Sequence, residues 1–323
     1  MLRTRADIIR QVRSFFNERN YLELDTPLLC ENLIPESCLD VFSTRRLFPR
    51  GSRKESRPLW LIPSPEIWMK KIIARHRVNV FQICKCFRNK ESQGRFHNCE
   101  FTMLEYYTMD ADYTDSLALT EEFFGFLGEV LSRRYGGAEK NLSGPFERVT
   151  VAGAFERHAG FDLFEAAEKK GEMEKQARRL GLDPPPEMTT AGLYDLIFIH
   201  AVEPNLKAEK PVVLIDYPAF VPCLAKKSSD KKTVQRWELY YNGIELANCF
   251  SEETDPQNVK EFFLNEEAAR ERACLEKHSV DHDYWKMFEN FPRCCGVAMG
   301  LDRLVMAITG LSSIDAVLPF PSY

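Results

Sequence analysis

Two guanidiniums and an imidazole, Arg88, Arg95 and His97, fall in and beside one polar stretch, and Phe101, Met103, Glu105 and Tyr107 follow at strict alternation. On an extended strand those four share a face, which sets an aromatic platform, a carboxylate and a phenol in a row. A polyanion lying over that face would meet the three basic groups. Further along, RWELYYNGIELANCFSEETD (Arg236 to Asp255) places Glu238 and Glu245 on either side of Asn242-Gly243, a dipeptide that favours a two-residue hairpin turn. Such a turn pairs Tyr241 with Ile244 and Tyr240 with Glu245. Glu238, Tyr240, Glu245 and Ala247 would then share a face, with the two glutamates diagonal to each other. Neighbouring carboxylates repel unless a proton or a cation lies between them, and Mg²⁺ suits such a pair because phosphate oxygens and water complete its shell. Asn248, Phe250 and Glu252 alternate onto the opposite face, so they can join Glu245 only if the strand carries a bulge or twist near Leu246 to Asn248. Near the C-terminus, Gly296 and Gly300 would let backbone approach a ligand, Asp302 reads as a helix N-cap, and Arg303 opposes the helix dipole unless it meets an anion. Each pattern also has an ordinary reading: a solvated hairpin loop, two exposed glutamates, a surface arginine paired with any nearby acid.

The elements that must hold these side chains follow from periodicity. Val80 to Tyr107 reads as two strands joined by a long polar loop. TRADIIRQVRSFFNER (residues 4 to 19) is an amphipathic helix with Ile8, Ile9, Val12, Phe15 and Phe16 on one side, and the extended YLELDTPLL after it contains Pro27, which keeps it out of a central strand. PRGSRKESRP, between Phe48 and Leu59, reads as a basic loop. LWLIPSPEIWMKKIIAR reads as strand, turn and helix, with Ser64 as the cap and Pro65 at the first helical position. Thr114 to Tyr135 is a helix. Residues 144 to 210 hold further helical pieces broken by DPPP at Asp183 to Pro186, without evident chemistry.

With 323 residues, 44% of them apolar, the chain can bury a substantial core. A formal charge of −5 argues against a general nucleic-acid surface. No run is long enough for a membrane span and the start lacks a signal peptide's apolar segment, so a soluble protein of the cytoplasm is expected. The ten cysteines lack CxxC pairs and read as reduced, mostly buried residues.

FRN, a basic loop and RFHNCEFTMLEYY resemble motif 2 of the class II aminoacyl-tRNA synthetases, in particular the lysyl group. GVAMGLDRLVMAITG, Gly296 to Gly310, resembles their motif 3. The first helix, strand and Pro27 resemble motif 1, whose family role is the dimer interface. The absence of room for an anticodon-binding domain ahead of motif 1, ELAN at Glu245 to Asn248, VEPNL at Val202 to Leu206, and Ala298 resemble the elongation factor P (R)-β-lysine ligase family. Lysyl-tRNA synthetases usually carry Gly at the position of Ala298, and the extra methyl would reshape the pocket floor.

The resemblance implies an α+β catalytic domain spanning residues 1–323, an antiparallel sheet flanked by helices, with a helical insertion at about 144–210. It implies ATP-dependent activation of (R)-β-lysine, or lysine, as an aminoacyl-adenylate, then transfer to a lysine side chain of elongation factor P. Arg88 and Arg303 would be catalytic. Carried over by motif, ATP would contact Arg88, Lys90, Glu91, Arg95, His97, Asn98, Phe101, Glu245, Leu246, Gly300 and Arg303, with adenine between Phe101 and Arg303. The amino acid would contact Ser64, Glu66, Glu105, Tyr107, Asn248, Phe250, Glu252 and Ala298, and Glu238 with Glu245 would hold Mg²⁺. A homodimer is implied, without membrane or tRNA as a partner. The sequence departs from the family where Lys90 stands for Glu, with Glu91 next to it in a longer loop, and where Cys99 and Cys249 replace Pro and Gly. Two other readings stay open: a compact enzyme charging tRNA or a small acceptor with lysine, and a catalytically silent regulatory paralogue.

Overall fold

The N-terminal apolar stripe forms helix α1, Leu2–Glu18, with Ile8, Val12, Phe15 and Phe16 fully buried and Ile9 half-buried. The computed structural model describes every residue except 52–54, 91–93, 136–143, 209 and 322–323. Contacts divide the chain into an outer unit, Met1–Asp110 with Glu253–Tyr323, and a central unit, Ala111–Glu252. After α1 come β1 (Leu22–Glu23), β2 (Leu29–Cys30), β3 (Ser43–Leu47), β4 (Ser56–Leu61), helix α2 (Glu66–His76), β5 (Val80–Phe87) and β6 (Glu100–Met109). Strand β4 corrects the sequence reading, because residues 56–58 of the expected basic loop are paired with β3. Pro58 is tolerated there since β2 pairs only with Trp60 and Leu61, leaving β4 one-sided at the proline.

The central unit begins with α3, Tyr113–Tyr135, whose first turn is fixed by Asp112 Oδ1 accepting from the backbone of Thr114 (2.9 Å) and Asp115 (3.2 Å). A short strand not expected from sequence, β7 (Glu147–Thr150), precedes α4 (Val151–Ala159), α5 (Leu163–Glu168), α6 (Glu172–Arg179) and α7 (Thr190–Ile197). These helices bury Phe155, Tyr194 and Ile197 in a common core with Val202, Leu214 and Tyr240. Strands β8 (Val212–Pro218), β9 (Thr233–Tyr241) and β10 (Ile244–Ser251) follow, and within this unit the order is β10-β9-β8-β7, antiparallel except for β7 with β8.

The chain returns to the outer unit with α8 (Pro256–Arg272), β11 (Cys294–Gly300) and α9 (Leu301–Thr309). Here the order is β1-β5-β6-β11, antiparallel except for β1 with β5. Phe16 of α1 packs on Phe81 and Tyr106 at ring centroid separations of 5.1 and 4.8 Å, fastening the helix to β5 and β6. The architecture is α+β with antiparallel pairing dominant, as expected. No described helix is long and apolar enough to cross a membrane.

Candidate active site

In the outer unit the β5–β6 hairpin pairs Val80 with Tyr107, Gln82 with Glu105, Cys84 with Met103 and Cys86 with Phe101. The expected face is therefore present, and the Tyr107 hydroxyl donates to Glu105 Oε1 at 2.8 Å along it. β11 closes the other side of β6 and sets Ala298 opposite Glu105, Gly300 opposite Met103 and Gly296 opposite Tyr107. The Ala298 methyl thus shares a sheet face with Glu105.

Glu105 is 2% exposed, and its Oε2 is buried with no hydrogen-bond partner among the described residues. Burial first, and then the charge of Glu66, push its carboxyl well above the usual carboxylate range. Glu66 opens α2 and is paired with the buried Lys70 at 2.5 Å. Ser64 does not cap this helix: Pro65 takes the N-cap position, its carbonyl accepting from Trp68 and Met69 at 3.0 Å, which leaves Ser64 outside the helix. Arg88, just beyond β5, lies over the Phe101 ring at 5.2 Å, and its Nε is buried without a partner among the described residues.

Phe101 and Arg303 are each one residue from a direct bond, since the buried Asp302 accepts from the Thr102 backbone at 2.6 Å and from Arg5 at 2.6 Å. Asp302 is not the N-cap expected from sequence. Gly300 holds that position, and Asp302 serves to lock α9 and α1 to β6. Arg303 Nε donates to the Phe96 carbonyl at 3.1 Å, and a Cβ on Gly300 would meet the Arg303 side chain at 3.6 Å. Arg95 and His97 are exposed in the loop, where Asn98 donates to the Glu100 carbonyl at 2.7 Å. Lys90 is ion-paired with Asp40 at 2.6 Å, and Glu91 lies outside the described residues.

In the central unit the turn at Asn242 (φ +52°) and Gly243 (φ +75°) has both residues left-handed, as the dipeptide predicts, and pairs Tyr241 with Ile244 and Tyr240 with Glu245. The register then shifts between Glu245 and Ala247. This is the bulge that the combined site required. It also corrects one assignment, because Ala247 now pairs with Leu239 and Asn248 takes the place opposite Glu238. Glu245, Asn248 and Phe250 consequently share a face with Tyr240, Glu238 and Arg236, with Glu252, buried and bridged to Ala225, next in the alternation. Leu246, the residue absorbed by the bulge, is buried.

Glu238 Oε1 accepts from Arg236 at 2.5 Å and Oε2 accepts from the Tyr240 hydroxyl at 2.7 Å. Arg236 also donates to Asn248 at 3.2 Å and lies 4.4 Å from the Tyr217 ring and 5.4 Å from that of Phe250. Sequence reasoning passed over Arg236, although the alternation that joined Glu238 and Tyr240 includes it. It also passed over Glu36, whose carboxyl faces Glu66, Arg88, Glu266 and Arg270 and is pushed up to about 7, by burial first and then by Glu66. IPESCLD around Glu36 has no periodicity, so no sequence signal marked it.

The family described as tRNA synthetases class II (D, K and N) matches residues 1–323. Proteins named elongation factor P (R)-β-lysine ligase match over 99% of this chain: that of Histophilus somni at 36% identity over 94% of its own length, and that of Vibrio cholerae at 37% over 94%. The chain belongs to the elongation factor P (R)-β-lysine ligase family. It is a ligase of the class II synthetase type, and that membership brings ATP use with it.

For this family the remaining question is which residues fit the metal of an ATP-dependent ligase. Among the described residues no group of three or more His, Cys, Asp or Glu could hold an ion. Mg²⁺ needs fewer, one or two carboxylates with phosphate oxygens and water. Glu238 and Glu245 are diagonal neighbours, roughly 7–8 Å apart at their Cα atoms. Each Glu238 oxygen keeps a second lone pair beyond its bond to Arg236 or Tyr240. The pair fits as a partial donor set that a nucleotide phosphate would complete.

Proposed function

We propose that this ligase uses ATP to activate (R)-β-lysine as its adenylate and passes the aminoacyl group to a lysine side chain of elongation factor P. The observation that carries the reading is Glu105, a buried carboxyl whose Oε2 has no partner among the described residues, on the strand face of Phe101, over whose ring Arg88 lies. Such a group is satisfied by a ligand ammonium, and an acid with an amine at its far end supplies one. The names of the relatives supply the acceptor.

In this reading Arg88 holds the substrate carboxylate by the paired donors of its guanidinium. Arg95, His97 and Arg303 take the outer phosphates, Phe101 and Arg303 enclose the adenine, and Lys90, Asn98, Leu246 and Gly300 border the nucleotide. Glu66, Glu105, Glu252, Tyr107 and Asn248 receive the substrate amines, while Ser64, Phe250 and Ala298 shape their surroundings. Mg²⁺ on Glu238 and Glu245, when bound, would neutralise phosphate charge. A carboxylate oxygen attacks the α-phosphorus as the bond to pyrophosphate breaks, and no base is needed because the nucleophile is already ionised. The neutral ε-amine of the acceptor then attacks the carbonyl, the amide forms, AMP leaves, and the amine proton passes to solvent. Catalysis is positioning and electrostatic stabilisation. The cytoplasm, where a translation factor works, is the expected setting.

The test is ATP–pyrophosphate exchange with L-lysine and both β-lysine enantiomers, followed by transfer of labelled product to elongation factor P or to purified tRNA. The (R)-β isomer is expected to give the highest kcat/KM and to label the protein. Preference for L-lysine with stable charging of tRNA would overturn the reading, and no exchange with any isomer would leave a silent paralogue.

A further inference from the structure

The segment from Glu36 to Val41 belongs to no helix or strand and is nevertheless fixed from outside. Arg270 of α8, 7% exposed, donates to the carbonyls of Glu36 (2.6 Å), Leu39 (2.5 Å) and Glu276 (2.8 Å). Glu266, one turn earlier on the same helix, accepts from the Ser37 backbone at 2.6 Å, and Asp40 Oδ1 accepts from Val41 at 2.9 Å and Glu276 at 3.0 Å. These bonds hold the backbone and leave the Glu36 side chain to face Glu66 and Arg88.

Taken together, the carboxyl groups of Glu36, Glu66, Glu105 and Glu266 lie among the cations of Lys70, Arg88 and Arg270 in this part of the outer unit. An independent sign of a missing ligand is the buried Glu105 Oε2, which has no partner among those residues. A diamino acid carries two ammonium groups and one carboxylate. Its ammonium groups supply the opposite charge that ionised Glu36 and Glu105 need.

The direction in which such a ligand lies follows from register. Phe87, next to Arg88, pairs with Glu100, whereas Glu105 pairs with Gln82, roughly 17 Å further along the strand. The charges of Arg88 and Glu105 both act on the Cys86 thiol, so each side chain comes within range of that one sulfur. The acid end of the substrate belongs at Arg88 and its distal ammonium at Glu105. Glu36 faces Arg88 and is therefore at the acid end, beside Glu66. Glu66 alone is a poor receptor there, because one of its oxygens is engaged by Lys70 and an ammonium has three protons to donate.

We propose that Glu36, together with Glu66, receives the substrate amine nearest the carboxylate, and that its clamped backbone sets whether an amine on the α or the β carbon is accepted. The two positions differ by one carbon, and a misplacement of about 1 Å costs on the order of 100-fold when the receptor cannot follow. This rests on the function proposed above and adds to it a residue for the proximal amine.

The experiment is pyrophosphate exchange by wild type, Glu36→Gln, Glu36→Asp and Glu105→Gln, each with (R)-β-lysine, L-lysine and 6-aminohexanoic acid, which lacks the proximal amine. Glu36→Gln is expected to lower kcat/KM for (R)-β-lysine by about 10- to 100-fold while leaving 6-aminohexanoic acid unchanged. Glu36→Asp should keep the charge, recover part of the loss and alter the ratio of β- to α-lysine. Glu105→Gln should lower all three substrates. An equal loss on both diamino and monoamino acids would reduce Glu36 to a structural residue, and no loss on either would remove it from the site; both outcomes overturn the proposal. Wild type preferring L-lysine would overturn the proposed substrate and leave the Glu36 comparison readable on L-lysine.

Discussion

Glu36 and Glu105 hold their protons to higher pH than ordinary carboxyls, because burial and the charge of Glu66 penalise their ionised forms. For Glu36 the pKa is about 7 folded, against roughly 4.3 in the unfolded chain. The native state therefore binds more protons than the unfolded state between those values. Its contribution to stability is fully present below about 4.3 and is lost as pH rises through 7. Glu36→Gln imitates the protonated form and should melt above wild type at pH 8, with a stabilisation of about 1–3 kcal/mol that shrinks steadily as pH falls toward 4.5. Thermal melts across that range check it, and a variant less stable than wild type at pH 8 would contradict the burial argument. A group that stabilises when neutralised and still stands as a carboxylate is kept for what it binds. Arg236 is the contrasting case: its charge is satisfied within the fold by Glu238 and Asn248, so it orders these two side chains without awaiting a ligand.

The same contrast separates what the elements reveal in sequence from what they hide. The β5–β6 face was legible because alternation is a property of any strand, and the Asn242-Gly243 turn because few residue types accept two positive φ values. The bulge at Leu246 was legible only conditionally: alternation put Glu245 and Asn248 on opposite faces, and a common site demanded a shift that the pairing contains. Ser64 and Asp302 were misread as caps because residue type at a helix start does not say whether tertiary partners compete for the side chain, and Thr102 and Arg5 claim Asp302. The Glu36 loop could not be read at all, since its shape is imposed by Arg270 and Glu266, far away in sequence. That dependence is testable. Arg270→Met would orphan three carbonyls, at a cost of about 3–5 kcal/mol. Urea unfolding should report that loss, and in whatever fraction stays folded KM for the amino acid should rise while KM for ATP holds. A parallel rise in both would mean that Arg270 supports the whole outer unit rather than this loop.

At the scale of the whole molecule, net charge and composition say little about partners, and apolar exposure says more. Leu22, Leu28 and Leu29, in the segment after α1, are 53%, 36% and 43% exposed, and β1 is an edge strand of the outer unit. Apolar side chains grouped on one segment beside an unpaired strand edge are a standing invitation to association, and the motif 1 resemblance of this segment points to a second copy as the occupant. If the native state is a dimer and the unfolded chain a monomer, mass action makes stability depend on concentration, by about 1.4 kcal/mol of dimer per tenfold change. The melting midpoint of wild type should therefore rise measurably between low and high micromolar protein, with sedimentation equilibrium giving twice the chain mass. Leu22→Asp with Leu28→Asp leaves the buried face of α1 intact, so the double variant should stay folded, sediment as a monomer and melt at one temperature whatever its concentration. A wild type that is already concentration-independent and monomeric, or a double variant that still dimerises, would show that these leucines do not form the interface.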